Sequence, residues 1–109
     1  MNSIEIFINF YYALDYIFDL TKSNALGDYL SGANPFLFEG CGSADPAIYD
    51  EFEKAFKNEF HTEKIDKQTA YNWLNKYLDI LGNRAVKKAF KKITLQMWLD
   101  AVDSYNSSI

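Results

Sequence analysis

The side chains best suited to catalysis are scarce in this sequence. A histidine is the usual general base near neutral pH, and the sequence contains one, His61, at the predicted end of a helix. A structural role also explains this position, because the partial negative charge at the carboxyl end of a helix stabilises a protonated histidine. The inventory therefore favours a protein that is not an enzyme, and a small enzyme of unidentified chemistry is the third interpretation.

The sequence also lacks a recognisable set of metal ligands. One histidine and one cysteine cannot supply a zinc site, and no acidic run has the spacing of a calcium loop. Cys41 lies between Gly40 and Gly42, where backbone amides could activate the thiol or bind an anion, but a turn with an incidental cysteine explains the same residues. We therefore expect no metal and no cofactor, and a lone cysteine fits a reducing compartment.

A basic run is better organised for binding. Arg84, Lys87, Lys88 and Lys91 lie at helical spacing, so a helix would align them on one face, with Lys92 at its edge. Such a face could bind an anion, be solvated, or lie beside the acidic half of the same chain. The opposite face of this helix is apolar and consists of Val86, Ala89, Phe90 and Ile93.

The residues before this basic face have a pattern similar to a helix-turn-helix. Residues 69–74 are followed by Gly82 and then by the basic helix. A regulator that binds nucleic acid through residues 84–92 is therefore the alternative function. Its recognition helix would lack the density of Arg, Asn and Gln that base edges require, so nucleic acid is the less favoured partner.

A second candidate surface lies on the polar strip of the first predicted helix. Tyr12, Asp15, Tyr16 and Asp19 are adjacent there. Tyrosines supply rigid anchors for protein binding, and carboxylates steer a basic partner. Alternatively, both tyrosines pack on neighbouring helices and keep only their hydroxyls at the rim.

Helices must position both surfaces, because the chain of 109 residues has only two Pro and five Gly, too few for a fold of many turns. Its 49% apolar and 24% charged residues are typical of one globular domain spanning residues 1–109. We predict an all-α, single-domain bundle of four to five helices with an irregular loop at about residues 32–44. Residues 4–20 form its central helix, because their apolar side chains cover a sector of roughly 200°.

Local signals place the other helices. A short helix over residues 24–31 is expected to end at Gly32 in a left-handed conformation, and residues 36–38 to follow as an apolar plug. Asp45 before Pro46 and Asp66 are predicted helix starts, and Gly82 a helix end. Ile80 is expected to widen the buried face of the fourth helix. The helix that begins at Asn83 either breaks at Thr94 or continues past it, and we favour a break.

The net charge of −4 hides an asymmetry between the two halves of the sequence. Residues 1–53 carry nine acidic side chains and one basic, whereas residues 54–109 carry ten basic and six acidic. Glu5, Asn9 and Asp15 interrupt the first apolar stretch, which excludes a membrane span, and no base precedes Lys22 as a signal peptide requires. The expected location is cytoplasmic, with no membrane partner.

One segment resembles small uncharacterised bacterial proteins, and the resemblance covers about half of the chain. It rests on Asn34-Pro35-Phe36-Leu37-Phe38, on residues 43–49 (Ser-Ala-Asp-Pro-Ala-Ile-Tyr) and on Phe52. Some proteins of this size and acidity are immunity partners of secreted toxins, so the resemblance implies a bacterial source and a shared fold. The leading hypothesis is a non-catalytic module that binds another protein, namely an immunity protein that neutralises a basic toxin. A homodimer is compatible with it, because the aromatic content exceeds what one small core needs.

Overall fold

Helix α1 lies at the centre of a bundle in which it packs against four other helices, α2, α3, α5 and α6. The computed structural model describes residues 1–36 and 42–108, and within these ranges the chain forms six helices and no strand. The radius of gyration, 12.9 Å, is that of one compact domain of this length. The helices are α1 (Ser3–Thr21), α2 (Asn24–Ala33), α3 (Pro46–Glu59), α4 (Lys67–Leu81), α5 (Arg84–Phe90) and α6 (Leu95–Ser108).

The helix starts predicted at Asp45 and Asp66 are confirmed by their hydrogen bonds, and a reciprocal cap begins α1. At α1 the Asn2 side chain accepts from the backbone N–H of Glu5, and the Glu5 carboxylate accepts from the N–H of Asn2. Asp45 accepts from the N–H of Ala47 ahead of α3, and Asp66 caps α4 in the same manner. Each cap satisfies backbone donors that the first helical turn leaves unpaired.

Aromatic rings fill the core between α1, α3 and α4. Phe52 is fully buried, and its ring centroid lies 5.0 Å from those of Phe7 and Tyr77 and 5.3 Å from that of Trp73. Most of these pairs meet edge to face, the arrangement that the charge distribution of aromatic rings favours. The predicted central role of residues 4–20 is therefore confirmed, since α1 supplies one wall of this core.

The described residues form six helices instead of the predicted four to five, because the chain breaks before Thr94. The side chain of Thr94 accepts from the N–H of Met97, and its carbonyl accepts from the N–H of Trp98. These bonds start α6 as a separate helix and confirm the favoured break. Trp98 then inserts into the core, where its indole N–H donates to the carbonyl of Lys67 over 2.8 Å.

The prediction that Gly32 ends the second helix is wrong. Helix α2 continues to Ala33, and Gly32 has no positive φ. A Cβ at Gly32 would lie 2.8 Å from Cδ1 of Ile48, so this glycine allows α2 and α3 to approach closely. By contrast, Gly82 ends α4 in the left-handed region, at φ 68°, as predicted.

Three apolar side chains that were expected to be buried are exposed. Leu20 on α1 and Ile80 on α4 are 66% and 65% exposed, because no neighbouring helix covers that part of either face. Phe36, the first residue of the expected plug, is 59% exposed. Leu37 and Phe38 lie outside the described residues, as does the middle of the irregular loop predicted at residues 32–44.

Candidate functional site

The residues predicted to bind a partner form a continuous exposed strip on α1. Tyr12 and Tyr16 are 44% and 52% exposed, and Asp19 is exposed beside them, whereas Asp15 is half-buried. The alternative, in which both tyrosines pack on neighbouring helices, applies in part to Tyr12, whose ring approaches α6, and less to Tyr16, which is more exposed. We call Tyr12, Asp15, Tyr16 and Asp19 the α1 surface.

Aromatic side chains from outside α1 extend this surface. The ring of Tyr12 lies 5.7 Å from that of Phe36 and 6.3 Å from that of Tyr105 on α6. Tyr11 also approaches Phe36, at 6.2 Å. Leu20 follows Tyr16 by one helical turn and continues the apolar line. The result is an exposed apolar patch with carboxylates along its side.

The two carboxylates of the α1 surface, Asp15 and Asp19, repel each other. Partial burial and the neighbouring charge of Asp19 raise the pKa of Asp15, although the ammonium of Lys22 opposes the shift. Lys22 contacts Asp19 at 3.7 Å, and both side chains are solvated. A cation brought by a partner would therefore relieve a repulsion that already exists in the isolated protein.

The basic run predicted as an alternative anion-binding site is divided by the structure. Lys87 donates to the carboxylate of Asp79 over 2.7 Å, and Lys91 donates to the side-chain oxygen of Asn75 over 3.4 Å. Both acceptors belong to α4, so these two cations turn toward the chain itself. Arg84 lines a recess with Lys87 beside Asp79 and also borders a second cleft with Lys88, so the four cations do not form one face.

Arg84 and Lys88 instead line a cleft between α5 and the junction of α1 with α2. Lys92, which was assigned to the edge of the basic face, joins them at its rim. The cleft has a volume of about 320 Å³. We call it the α5 cleft. Its apolar lining consists of Ile17, Ala25, Leu26, Ala85 and Ala89.

No carboxylate in residues 1–36 or 42–108 pairs with the three cations of the α5 cleft. More broadly, few ion pairs join the acidic and basic halves within the described ranges. Of the five ion pairs in these ranges, one joins the two halves, and it links side chains one turn apart on α3. The pairs are Asp19–Lys22, Glu53–Lys57, Glu59–Lys76, Asp79–Lys87 and Asp103–Lys67.

Of the two residues weighed for catalysis, the structure describes one. His61 is exposed just beyond α3. Cys41 lies outside the described residues. In the part of the chain that is described, no group of three His, Cys, Asp or Glu side chains could hold a metal ion. No helix there has the length and apolar character needed to span a bilayer.

Sequence reasoning missed parts of both surfaces. Leu20 could have been found, because it continues the line of Tyr12 and Tyr16 at intervals of four residues. The contributions of Phe36 and Tyr105 follow from tertiary contacts and leave no local signal. The same holds for the cleft, which brings α1 against α5.

Comparison of the chain with protein-family models found no match, and comparisons with curated proteins and with solved structures found none either. Functional inference therefore rests on the geometry of the α1 surface and of the α5 cleft.

Proposed function

We propose that this chain is a non-catalytic protein-binding module that uses the α1 surface to bind a basic partner protein. The observation that carries the proposal is the exposure of Tyr12 and Tyr16 beside Asp15 and Asp19 on one helix face. Aromatic anchors bordered by steering charges are the composition that binding hot spots favour.

The cost of exposing this patch supports the proposal. Phe36, Tyr12, Tyr16 and Leu20 together present apolar surface that folding alone would bury. Among the described basic side chains, Lys22 alone forms an ion pair with a carboxylate of the α1 surface. A partner with an apolar pocket rimmed by Lys or Arg would match both features.

Within that proposal, the specific role is that of a cytoplasmic bacterial immunity protein that neutralises a basic toxin by direct binding. A toxin that acts on nucleic acid must be basic to hold its substrate, and an acidic inhibitor would be attracted to the same basic surface. Its Tyr and Asp side chains would then occupy the site that the nucleic acid needs.

The test is reconstitution with the partner. Proteins from the source cells that bind the chain are identified, and each basic one is purified and titrated. The double variant Tyr16→Ser/Asp19→Asn should weaken binding by at least about tenfold. The matched control Ile80→Ser/Glu63→Gln removes an exposed apolar side chain and a carboxylate elsewhere, and it should bind like the native protein. Equal binding by both double variants would contradict the proposal.

The immunity role has its own readout. Cells that produce the basic partner should stop growing, and co-expression of this chain should restore growth. Rescue should fail for the Tyr16→Ser/Asp19→Asn variant and persist for the control. A partner that binds through the α1 surface but is harmless to cells would retain the binding module and reject the immunity role.

A second copy of the chain could also occupy the α1 surface. The salt dependence of association distinguishes such a homodimer from a complex with a basic partner protein. Attraction between Asp15 or Asp19 and a basic partner weakens as salt rises. In a homodimer the same carboxylates face each other, so added salt would strengthen the association. Sedimentation of the protein alone at low and high salt therefore separates these occupants.

Nucleic-acid binding through α5 is the alternative function. It draws on the short connection at Gly82 between α4 and α5 and on the cations Arg84, Lys87, Lys88 and Lys91. Two of these, Lys87 and Lys91, already have acceptors on α4, which weakens the case. A gel shift with steep salt dependence, lost in Lys88→Ala/Lys91→Ala, would establish it over the protein-binding proposal.

A further inference from the structure

We infer that the α5 cleft binds a small amphiphilic anion, an alkyl chain that ends in a carboxylate or a phosphate. This site is separate from the α1 surface. Ile17 and Thr21 of α1 line the cleft, whereas Tyr16 and Leu20 belong to the exposed strip on another flank of the same helix.

The basic side chains at the opening of the α5 cleft indicate that its ligand is negatively charged. Arg84, Lys88 and Lys92 converge on one opening from α5 and the turn after it. No carboxylate among the described residues lies within ion-pair distance of them, whereas the neighbouring Lys87 is held by Asp79. Three cations of one sign at one mouth repel each other, and an anion bound between them would relieve that repulsion.

The apolar side chains that line the α5 cleft indicate that its ligand also has an apolar part. Ile17, Leu26 and Ala89 border the cleft but are at most 4% exposed, so the more exposed Ala25 and Ala85 supply most of the apolar surface that a ligand can reach. Of the two hydroxyls that also line the cleft, that of Thr21 donates to the carbonyl of Ile17, whereas that of Ser23 accepts from the N–H of Leu26 and has no acceptor for its own O–H among the described residues. A free phosphate would therefore gain one hydroxyl donor besides the cations, whereas an alkyl chain on the anion would also displace water from the apolar walls.

The size of the cleft favours a small molecule over a macromolecule. Its volume of about 320 Å³ lies at the lower end of the range for ligand pockets, roughly 300–1,000 Å³. Its walls come from three helices, which makes it a concave site. A nucleic acid would instead require cations spread over an open face, and Lys87 and Lys91 turn away from this one.

The experiment titrates the purified protein with decanoate and with decyl phosphate, both below their micelle concentrations, and follows binding by calorimetry and by NMR. Inorganic phosphate supplies the head group alone, and decanol supplies the chain alone. We expect saturable binding of at least one amphiphile, with shifted resonances at Ala85, Ala89 and Leu26. Comparison of the two amphiphiles identifies which head group the rim prefers. Inorganic phosphate and decanol should each bind at least about tenfold more weakly.

Charge variants locate the site. Arg84→Gln/Lys88→Gln should weaken the amphiphile by about tenfold or more, whereas Lys54→Gln/Lys64→Gln makes the same change in net charge elsewhere and should leave binding unaltered. Ala85→Leu should block the cleft without changing its charge. Should decanol bind as tightly as decanoate, should phosphate match decyl phosphate, or should the cleft variants bind normally, the inference is overturned. Binding of an oligonucleotide or an acidic peptide, with no binding of either amphiphile, would also overturn it.

Discussion

The hydroxyl of Tyr71 on α4 donates a 2.6 Å hydrogen bond to the carbonyl of Ile93, in the turn between α5 and α6. This bond joins two segments that are far apart in the sequence, and it holds the turn from which α6 begins. Tyr29 offers the opposite case. Its hydroxyl is buried and has no hydrogen-bond partner among the described residues.

The two tyrosines predict opposite results for the same substitution. Tyr71→Phe leaves the Ile93 carbonyl without its donor, so the free energy of unfolding should fall by about 1–2 kcal/mol. Tyr29→Phe removes an unpaired polar atom from the interior, so stability should stay constant or rise. Urea denaturation of both variants measures this. A loss of stability in Tyr29→Phe equal to that in Tyr71→Phe would show that the Tyr29 hydroxyl has a partner.

Two glycines provide a second pair of variants. Gly82 has φ 68°, and an added Cβ would have no neighbour within 4 Å, so Gly82→Ala should cost about 1–2 kcal/mol through backbone strain alone. Gly32 is helical, and alanine there would improve helix propensity by about 0.5–1 kcal/mol while pressing on the movable Cδ1 of Ile48. Gly32→Ala should therefore cost less than Gly82→Ala in thermal denaturation. The reverse order would indicate that Ile48 cannot move aside.

Two carboxylates should respond to pH with opposite signs. The hydrogen bond and charge of Lys87 lower the pKa of Asp79, so ionised Asp79 stabilises the fold above its unfolded pKa, and this contribution is lost as pH falls through the folded pKa. Burial and Asp19 raise the pKa of Asp15, so its ionised form opposes folding as pH rises through the folded pKa.

At pH 7, therefore, Asp79→Asn should lower the free energy of unfolding and Asp15→Asn should raise it. The Asp15→Asn difference should shrink as the pH falls toward the ordinary aspartate pKa, about 3.9, because native Asp15 is then neutral. The Asp79→Asn difference should persist to lower pH and be lost as the pH falls through the lowered folded pKa of Asp79. Denaturation of both variants at several pH values measures this. The same sign of effect for both at pH 7 would contradict the assigned environments.

Aromatic side chains in the core and on the surface should differ sharply in their effect on stability. Phe52 is surrounded by rings on all sides, so Phe52→Ala should cost about 3–5 kcal/mol, a large part of the stability of a domain of this size. Phe36→Ala should change stability by less than about 1 kcal/mol, since Phe36 is mostly exposed. Denaturation curves test both, and a comparable cost at Phe36 would mean that it belongs to the core.

The helices could be predicted from the sequence because their boundaries are set locally. Asn2 with Glu5, and Asp45 with Pro46, satisfy backbone groups within a few residues, so the signal and its effect lie together. Gly32 shows where this fails. A glycine is equally expected at a left-handed helix end and at a close helix contact, and only the position of Ile48 decides between them.

The candidate sites were predictable in part for the same reason. The spacing of Tyr12 and Tyr16 identified a face of α1. Whether that face is exposed depends on where α6 and the residues after α2 pack, which the spacing does not show. The α5 cleft needs Ile17 and Arg84 together, and these residues are far apart in the sequence. Helical periodicity describes each helix singly and contains no information about such pairs.

In the part of the chain that the structure describes, the separation of acidic from basic side chains acts at distances longer than any contact. Asp15 and Asp19 lie on one flank of α1, and Arg84, Lys88 and Lys92 line a cleft on another. These two groups of side chains contribute an electric dipole across the central helix, in addition to the net charge of −4. In the field of a charged molecule this dipole experiences a torque, so the protein rotates before the two surfaces meet. It then presents its acidic flank to a cation and its basic flank to an anion.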